Sequence, residues 1–387
     1  MKKVLLFVLI FLTITVSAQG RKFFEKGEAV LKNPVEKINL TFENEIPLVK
    51  VVINGKSYQF LFDTGAPTVI SHSVYNEMNL EEKRKSKVKD SQKNKQEQIF
   101  TELPEMKIDQ IIFKNIGVMV MDLQGHEFGC LKIDGIIGAN QMAKLFWKIN
   151  YSENTLEATA DLKNFQLENY ETVFKFFSLS QKTPIIESRI LDKKINLTFD
   201  TGFTGSIKIS DGEYNPKNTT VKSVETFGVN SVGAFGAGKA VSSYHFRPKQ
   251  IEIAQNKFEN EIVMTGNSSL LGNEFLKKFR FIIDWENNKI YLHRIIDTSS
   301  KMQSFGFAYR FINLKAKVVL VFRQKDFPIQ IDDEILGIND TSFENLNDVS
   351  SCEYLLNRVE KGLKSIKIKV KRGNQILNFT IEKKEYL

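Results

Sequence analysis

The sequence predicts a mostly β chain: two homologous β units with a cleft between them, followed by a small α/β domain. Three observations carry that prediction. Phe60-Leu61-Phe62-Asp63-Thr64-Gly65 recurs 137 residues later as Leu197-Thr198-Phe199-Asp200-Thr201-Gly202. The surroundings recur in register, with Pro47 and Pro184 each sixteen residues before the Asp, and Ile136-Ile137-Gly138 answered by Leu270-Leu271-Gly272. After about Ser300 the pattern changes to a segment the size of one small domain. A repeat this long, about 130 residues, reads as a duplicated unit.

Each copy has strand character. Val49–Ile53 and Tyr58–Phe62 flank Asn54-Gly55, a dipeptide that favours a type I′ hairpin. Ile111–Val120 and Phe281–Asp284 are further β-rich runs, and Ser71–Leu80 and Asn273–Lys278 are predicted short helices. Glu81–Gln98 is highly charged and lacks apolar periodicity, which predicts a solvated loop or mobile hairpin. In the terminal segment, strands are predicted at Val318–Phe322, Ile366–Val370 and Gln375–Glu382, with a helix around Val349–Val359.

Composition narrows the function. The 387 residues are 42% hydrophobic and 26% charged, which excludes a disordered chain. The net charge of +8 is spread along the chain and gives no basic patch that predicts a nucleic-acid partner. The four histidines are spread along the chain and make no multi-residue His/Cys metal-site pattern, so neither metal nor organic cofactor is expected. Met1-Lys2-Lys3 followed by the apolar run Val4–Leu12 and Ser17-Ala18 predicts an export signal, residues 1–18, cleaved after Ala18. The expected location is periplasmic or secreted, with no transmembrane segment in the mature chain. Cys130 and Cys352 fall in different predicted units and are expected as two separate buried thiols.

The paired Asp-Thr-Gly motifs carry the chemistry. Two carboxylates from matching halves that meet at a pseudo-twofold axis cannot both ionise and share a proton. One then serves as base toward a water while the other donates to a carbonyl oxygen. Gly65 and Gly202 allow close backbone approach, and the Thr64 and Thr201 hydroxyls can bond across the axis. Residues 30–298 resemble the bilobal aspartic proteases, in particular the retropepsin-like group of exported bacterial proteins. The resemblance rests on Asp63-Thr64-Gly65-Ala66, its repeat at Asp200, and the two hydrophobic-hydrophobic-Gly elements. It implies two aspartic-protease lobes, residues 24–160 and 161–298, with Asp63 and Asp200 catalytic and Thr64, Gly65, Thr201 and Gly202 supporting. Peptides or proteins are the implied substrates. Pepsin-like enzymes carry Ser or Thr after each motif, where this chain has Ala66 and Phe203. The missing hydroxyls imply a pH optimum from weakly acidic to near neutral.

Gly233 to Lys239 fits the first seven positions of a phosphate-binding loop, but Ala240 stands where that loop needs Ser or Thr. The segment is read instead as a hairpin tip, placing Gly233 and Gly236 beside Ala66 and Phe203 at the substrate cleft. Residues 301–387 resemble a PDZ domain, with Phe305, Gly306 and Phe307 as the entry loop for a C-terminal peptide ligand. The functional expectation is an exported aspartic endopeptidase. The alternative is a non-catalytic peptide-binding receptor on the same lobes and PDZ-like domain.

Overall fold

The structure, a computed structural model, describes residues 23–178, 180–216, 219–297 and 301–387, together with the short strands Phe7–Val8 and Leu12–Thr13. Those two strands belong to the predicted export signal. The remainder of that signal, with its cleavage point, lies outside the described residues. Phe7–Val8 runs parallel to Ser231–Val232, and Leu12–Thr13 antiparallel to Lys89–Asp90.

The protein is mostly β, and its two repeat units share one strand plan. In the first, Ile46–Ile53 and Lys56–Asp63 form a hairpin whose turn residues Asn54 and Gly55 have φ of 48° and 79°. Two successive positive φ angles are what a type I′ turn requires. Gly135–Gly138 then lies parallel to the end of Lys56–Asp63 and antiparallel to Val69–Ser71. In the second unit Pro184–Ile190, Lys193–Phe199, Ile207–Ser210 and Leu270–Leu271 repeat these pairings. The two predicted helices are present as His72–Glu77 and Asn273–Leu276, each shorter than predicted.

A six-stranded antiparallel sheet joins the units, three strands from each. Glu36–Asn39, Thr155–Thr159 and Phe146–Asn150 come from the first, and Phe279–Asp284, Lys289–Arg294 and Thr172–Lys175 from the second. At its centre Trp147 faces Ile283 and Ile149 faces Phe281, so the duplicated strands meet at the local twofold. One apolar core spans both units, including Phe62, Trp147, Phe199 and Phe281. Such burial, at about 25 cal/mol per Å² of apolar area, is the main term holding the two motif-bearing loops in fixed relation.

Glu81–Gln98 differs from its prediction as a solvated segment. Arg84–Asp90 and Lys95–Ile108 form a hairpin, and its tip residues Asp90, Ser91 and Gln92 are buried. Lys85, Lys87 and Lys89 alternate with the inward-packing side that holds Val88 and the buried Asp90, and Arg84 lies over the Phe100 ring.

The terminal unit has its own core, from Phe307, Phe311, Val318, Ile335, Ile368 and Val370 among others. Its helix Asp348–Leu356 begins with a reciprocal cap between Asn347 and Ser350. The unit is fastened to both repeats. Strand Ser223–Gly228 of the second repeat pairs antiparallel with Lys315–Phe322, Thr226 facing Phe322. On the other side Cys130 and Cys352 form a disulfide with Cα atoms 5.0 Å apart, joining helix His126–Cys130 to helix Asp348–Leu356. The expectation of two separate thiols is therefore wrong: packing of the two helices brings together cysteines 222 residues apart in sequence. A buried ion pair between Arg310 and Glu127, 2.6 Å, lies on the same interface. Among the described residues, no helix is long and apolar enough to cross a membrane.

Candidate active site

Each Asp-Thr-Gly closes a strand and turns back toward the twofold, so the two loops meet tip to tip. Gly65 and Gly202 decide how closely. A Cβ on Gly65 would lie 2.6 Å from the Asp200 carboxyl carbon, and one on Gly202 would lie 2.3 Å from Asp63 Oδ2. Each glycine thus faces the opposite aspartate, and any larger residue would drive the carboxyls apart. The Gly65 N–H donates to Asp63 Oδ1 at 2.7 Å, and the Gly202 N–H donates to Asp200 Oδ1 at 2.9 Å. Beneath them the Thr64 hydroxyl donates to Phe199 O at 2.6 Å, and the Thr201 hydroxyl donates to Phe62 O at 2.8 Å. Every polar atom of the two threonine side chains is engaged across the axis.

Both aspartates are fully buried. Burial raises the Asp63 pKa well above the ordinary carboxylate range, the negative charge of Asp200 raises it further, and the Gly65 N–H opposes the shift. Burial also raises Asp200, against the hydrogen bond with Asp63, the Gly202 N–H and the ammonium of Lys208. Two carboxyls buried this close to one another disfavour double ionisation, an arrangement that can hold one proton in common. The outer oxygens, Oδ2 of each, are buried without another donor.

Residues 49–140 match the aspartyl protease family, a span that holds Asp63-Thr64-Gly65 and Ile136-Ile137-Gly138. Over those residues the first repeat is similar to an aspartyl protease domain. No curated protein matches the chain significantly.

In the first repeat Gly138 packs behind the first motif, where a Cβ would lie 2.1 Å from the Pro67 carbonyl carbon. The Ala139 N–H donates to Ala66 O at 2.9 Å, and in the second repeat the Asn273 N–H donates to Phe203 O at 2.8 Å. Sequence reasoning missed two residues that act here. Asn273 donates through its amide to Thr201 O, 2.6 Å, and accepts from the buried Tyr151 hydroxyl, 3.0 Å. Asn140 accepts from both the backbone N–H and the hydroxyl of Thr68, 2.7 and 2.9 Å. The signal was available: each Asn follows its hydrophobic-hydrophobic-Gly element within two residues.

The residues expected to line the cleft occupy different places. Ala66 is fully buried in a cluster with Leu61, Val69 and Ile136. Phe203 is fully buried against Met264 and Leu270. Gly233 is buried where a Cβ would strike Asp90 Oδ2 at 2.3 Å, whereas Gly236 is exposed at the hairpin tip. The Asp90 carboxylate accepts from the Phe235 N–H at 2.9 Å, and the Asn267 amide donates to Gln92 at 3.0 Å. The Asp90–Asn94 tip of the first hairpin, which lacks an aromatic residue, is thereby joined to Phe235 of the second. Phe305 and Phe307 are buried in the terminal core. Between them Gly306 has φ +86°, and its N–H donates to the Ser304 hydroxyl at 3.0 Å.

Proposed function

We propose that the protein is an exported aspartic endopeptidase in which Asp63 and Asp200 are the catalytic pair. One observation carries the reading: two copies of the same motif meet so that each glycine abuts the other's aspartate. In the monoprotonated pair the ionised carboxyl takes a proton from a water, whose oxygen attacks the peptide carbonyl carbon. The protonated carboxyl donates to the carbonyl oxygen, giving a gem-diol. Collapse of that intermediate returns a proton to the amine as the C–N bond breaks, and the pair regains its starting state. Thr64, Gly65, Thr201 and Gly202 position the carboxyls. The joined hairpin tips stand in the path of an extended substrate and must part to admit it.

Export is supported by the basic-then-apolar N-terminal sequence and by the Cys130–Cys352 disulfide, since disulfides persist in oxidising compartments. The terminal PDZ-like unit serves as a brace. Phe307–Ile312 pairs only with Lys315–Phe322 among the described strands, and its outer edge is where a peptide would add. That edge is engaged from within: the Arg358 guanidinium donates to Tyr309 O at 3.3 Å, and Arg310 holds Glu127. Cleavage of a quenched peptide by the purified protein, blocked by pepstatin, tests the enzymatic reading. Failure to cleave a broad peptide library would leave the receptor reading in its place.

A further inference from the structure

Lys208 occupies a position whose counterpart in the first repeat is Val69. The registers coincide: Val69 lies opposite Met119 and Ile136, and Lys208 opposite Met264 and Leu270. Val69 belongs to a large apolar cluster that includes Val88 and Phe100 of the overlying hairpin. In the second repeat the matching cluster contracts to Phe203, Met264 and Leu270, and a lysine with 0% exposure stands beside it. Ile207 and Ile209 enter the main core, so strand alternation sends Lys208 to the opposite face, the one shared with Phe203.

The molecule makes room for this side chain without giving its ammonium a hydrogen-bond acceptor. Its stem passes Gly266, where a Cβ would come 2.7 Å from Lys208 Cδ. Its ammonium stands 4.9 Å from the Phe203 ring centroid and has no hydrogen-bond acceptor. Burial lowers its pKa to about 7, with Asp200 and Asp211 opposing the shift. The Thr204, Ser206 and Ser268 hydroxyls, from the same strand's approach and from the loop before Leu270, are likewise buried without partners. Packing alone calls for an apolar residue, as Val69 shows. A buried cation that meets a ring face and no hydrogen-bond acceptor calls for an anion.

We propose that Lys208 forms a specificity subsite for an acidic side chain of the substrate, beside Asp200 on the second repeat's side of the site. The substrate carboxylate pairs with the ammonium. The inference rests on the peptidase reading and adds a substrate class to it: peptides with Asp or Glu at one fixed position from the scissile bond.

The test uses the full chain and peptides that differ only by Asp against Asn, or Glu against Gln, at each position around the cleaved bond. At about pH 6, below the titration of the ammonium, one position should favour the acid by about ten-fold or more in kcat/KM. In Lys208→Met that ratio should fall to about one, and Lys208→Arg should retain part of it. The wild-type ratio needs no variant to fold. Cleavage of neutral peptides with no acid preference at any position overturns the subsite and leaves the peptidase standing, as does a preference that survives in Lys208→Met. Failure to cleave any peptide removes both.

Discussion

Thr64 and Thr201 hold each other across the local twofold: each backbone N–H donates to the other's hydroxyl oxygen, at 3.0 and 3.1 Å. Each hydroxyl in turn donates to the carbonyl before the opposite Asp. Four buried hydrogen bonds therefore fix the carboxyls that the two loops carry. Thr201→Val removes one hydroxyl and leaves the Thr64 N–H and Phe62 O buried and unpaired. At about 1–3 kcal/mol for each of the two orphaned groups, the expected loss is about 2–6 kcal/mol, read by denaturant unfolding. Turnover should fall as well, since the aspartates lose their alignment. A loss below about 0.5 kcal/mol would contradict this account of the grip.

The raised carboxyl pKa values set a pH dependence of stability. With native values above the unfolded ones, the folded state binds more protons than the unfolded state between the two. Stability contributed by protonated Asp is complete below the unfolded value of about 4 and is lost as pH rises toward the native values. The slope is at most about 1.4 kcal/mol per pH unit for one group. Asp200→Asn should therefore be more stable than wild type at neutral pH, with the gain vanishing below about pH 4. Melting curves across pH read this directly, and an unchanged profile would contradict the burial argument.

The same shifts govern activity. Neither Ala66 nor Phe203 has a hydroxyl to offer the outer oxygens, and both Oδ2 atoms lack another donor. The shared proton should persist to higher pH than in a stomach-type enzyme, giving an optimum from weakly acidic to near neutral. Ala66→Ser supplies a donor to the charged form and should move the basic limb of kcat/KM downward. A wild-type optimum at about pH 2–3, in the range of the pepsin dyad, would show that another donor serves.

The disulfide ties the terminal unit to the first repeat across 222 residues of chain. Chain-entropy reasoning assigns such a link on the order of 5 kcal/mol. Denatured protein should show no titratable thiol without reductant and two with it. Cys352→Ser should lower stability by several kcal/mol, with Arg310–Glu127 and the Ser223–Gly228 pairing among the attachments that remain. Two free thiols in unreduced protein would remove this link from the account.

Much of the frame was legible because it repeats. Asp63 and Asp200, their threonines and the glycines of the second element stand in register in the sequence, and the Asn54-Gly55 turn has a direct local cause. The missed features depend on contacts remote in sequence. Nothing local in Ile207-Lys208-Ile209 signals a buried lysine, and tertiary packing alone buries it. Cys130 and Cys352 carry no local sign of pairing, since the helices that bear them meet only through the terminal unit's seat on the first repeat. The Asp90–Asn94 tip looks like a charged loop, yet the N–H of Phe235, about 145 residues on, is what its aspartate accepts.

Turnover of a quenched peptide by Asp63→Asn and by Asp200→Asn, beside thermal melts of the same samples, tests the catalytic pair most directly. The account predicts that either substitution lowers kcat by at least about a thousand-fold with the fold intact, because one carboxyl cannot fill both proton roles. Either variant turning over at more than about a tenth of the wild-type rate would contradict it.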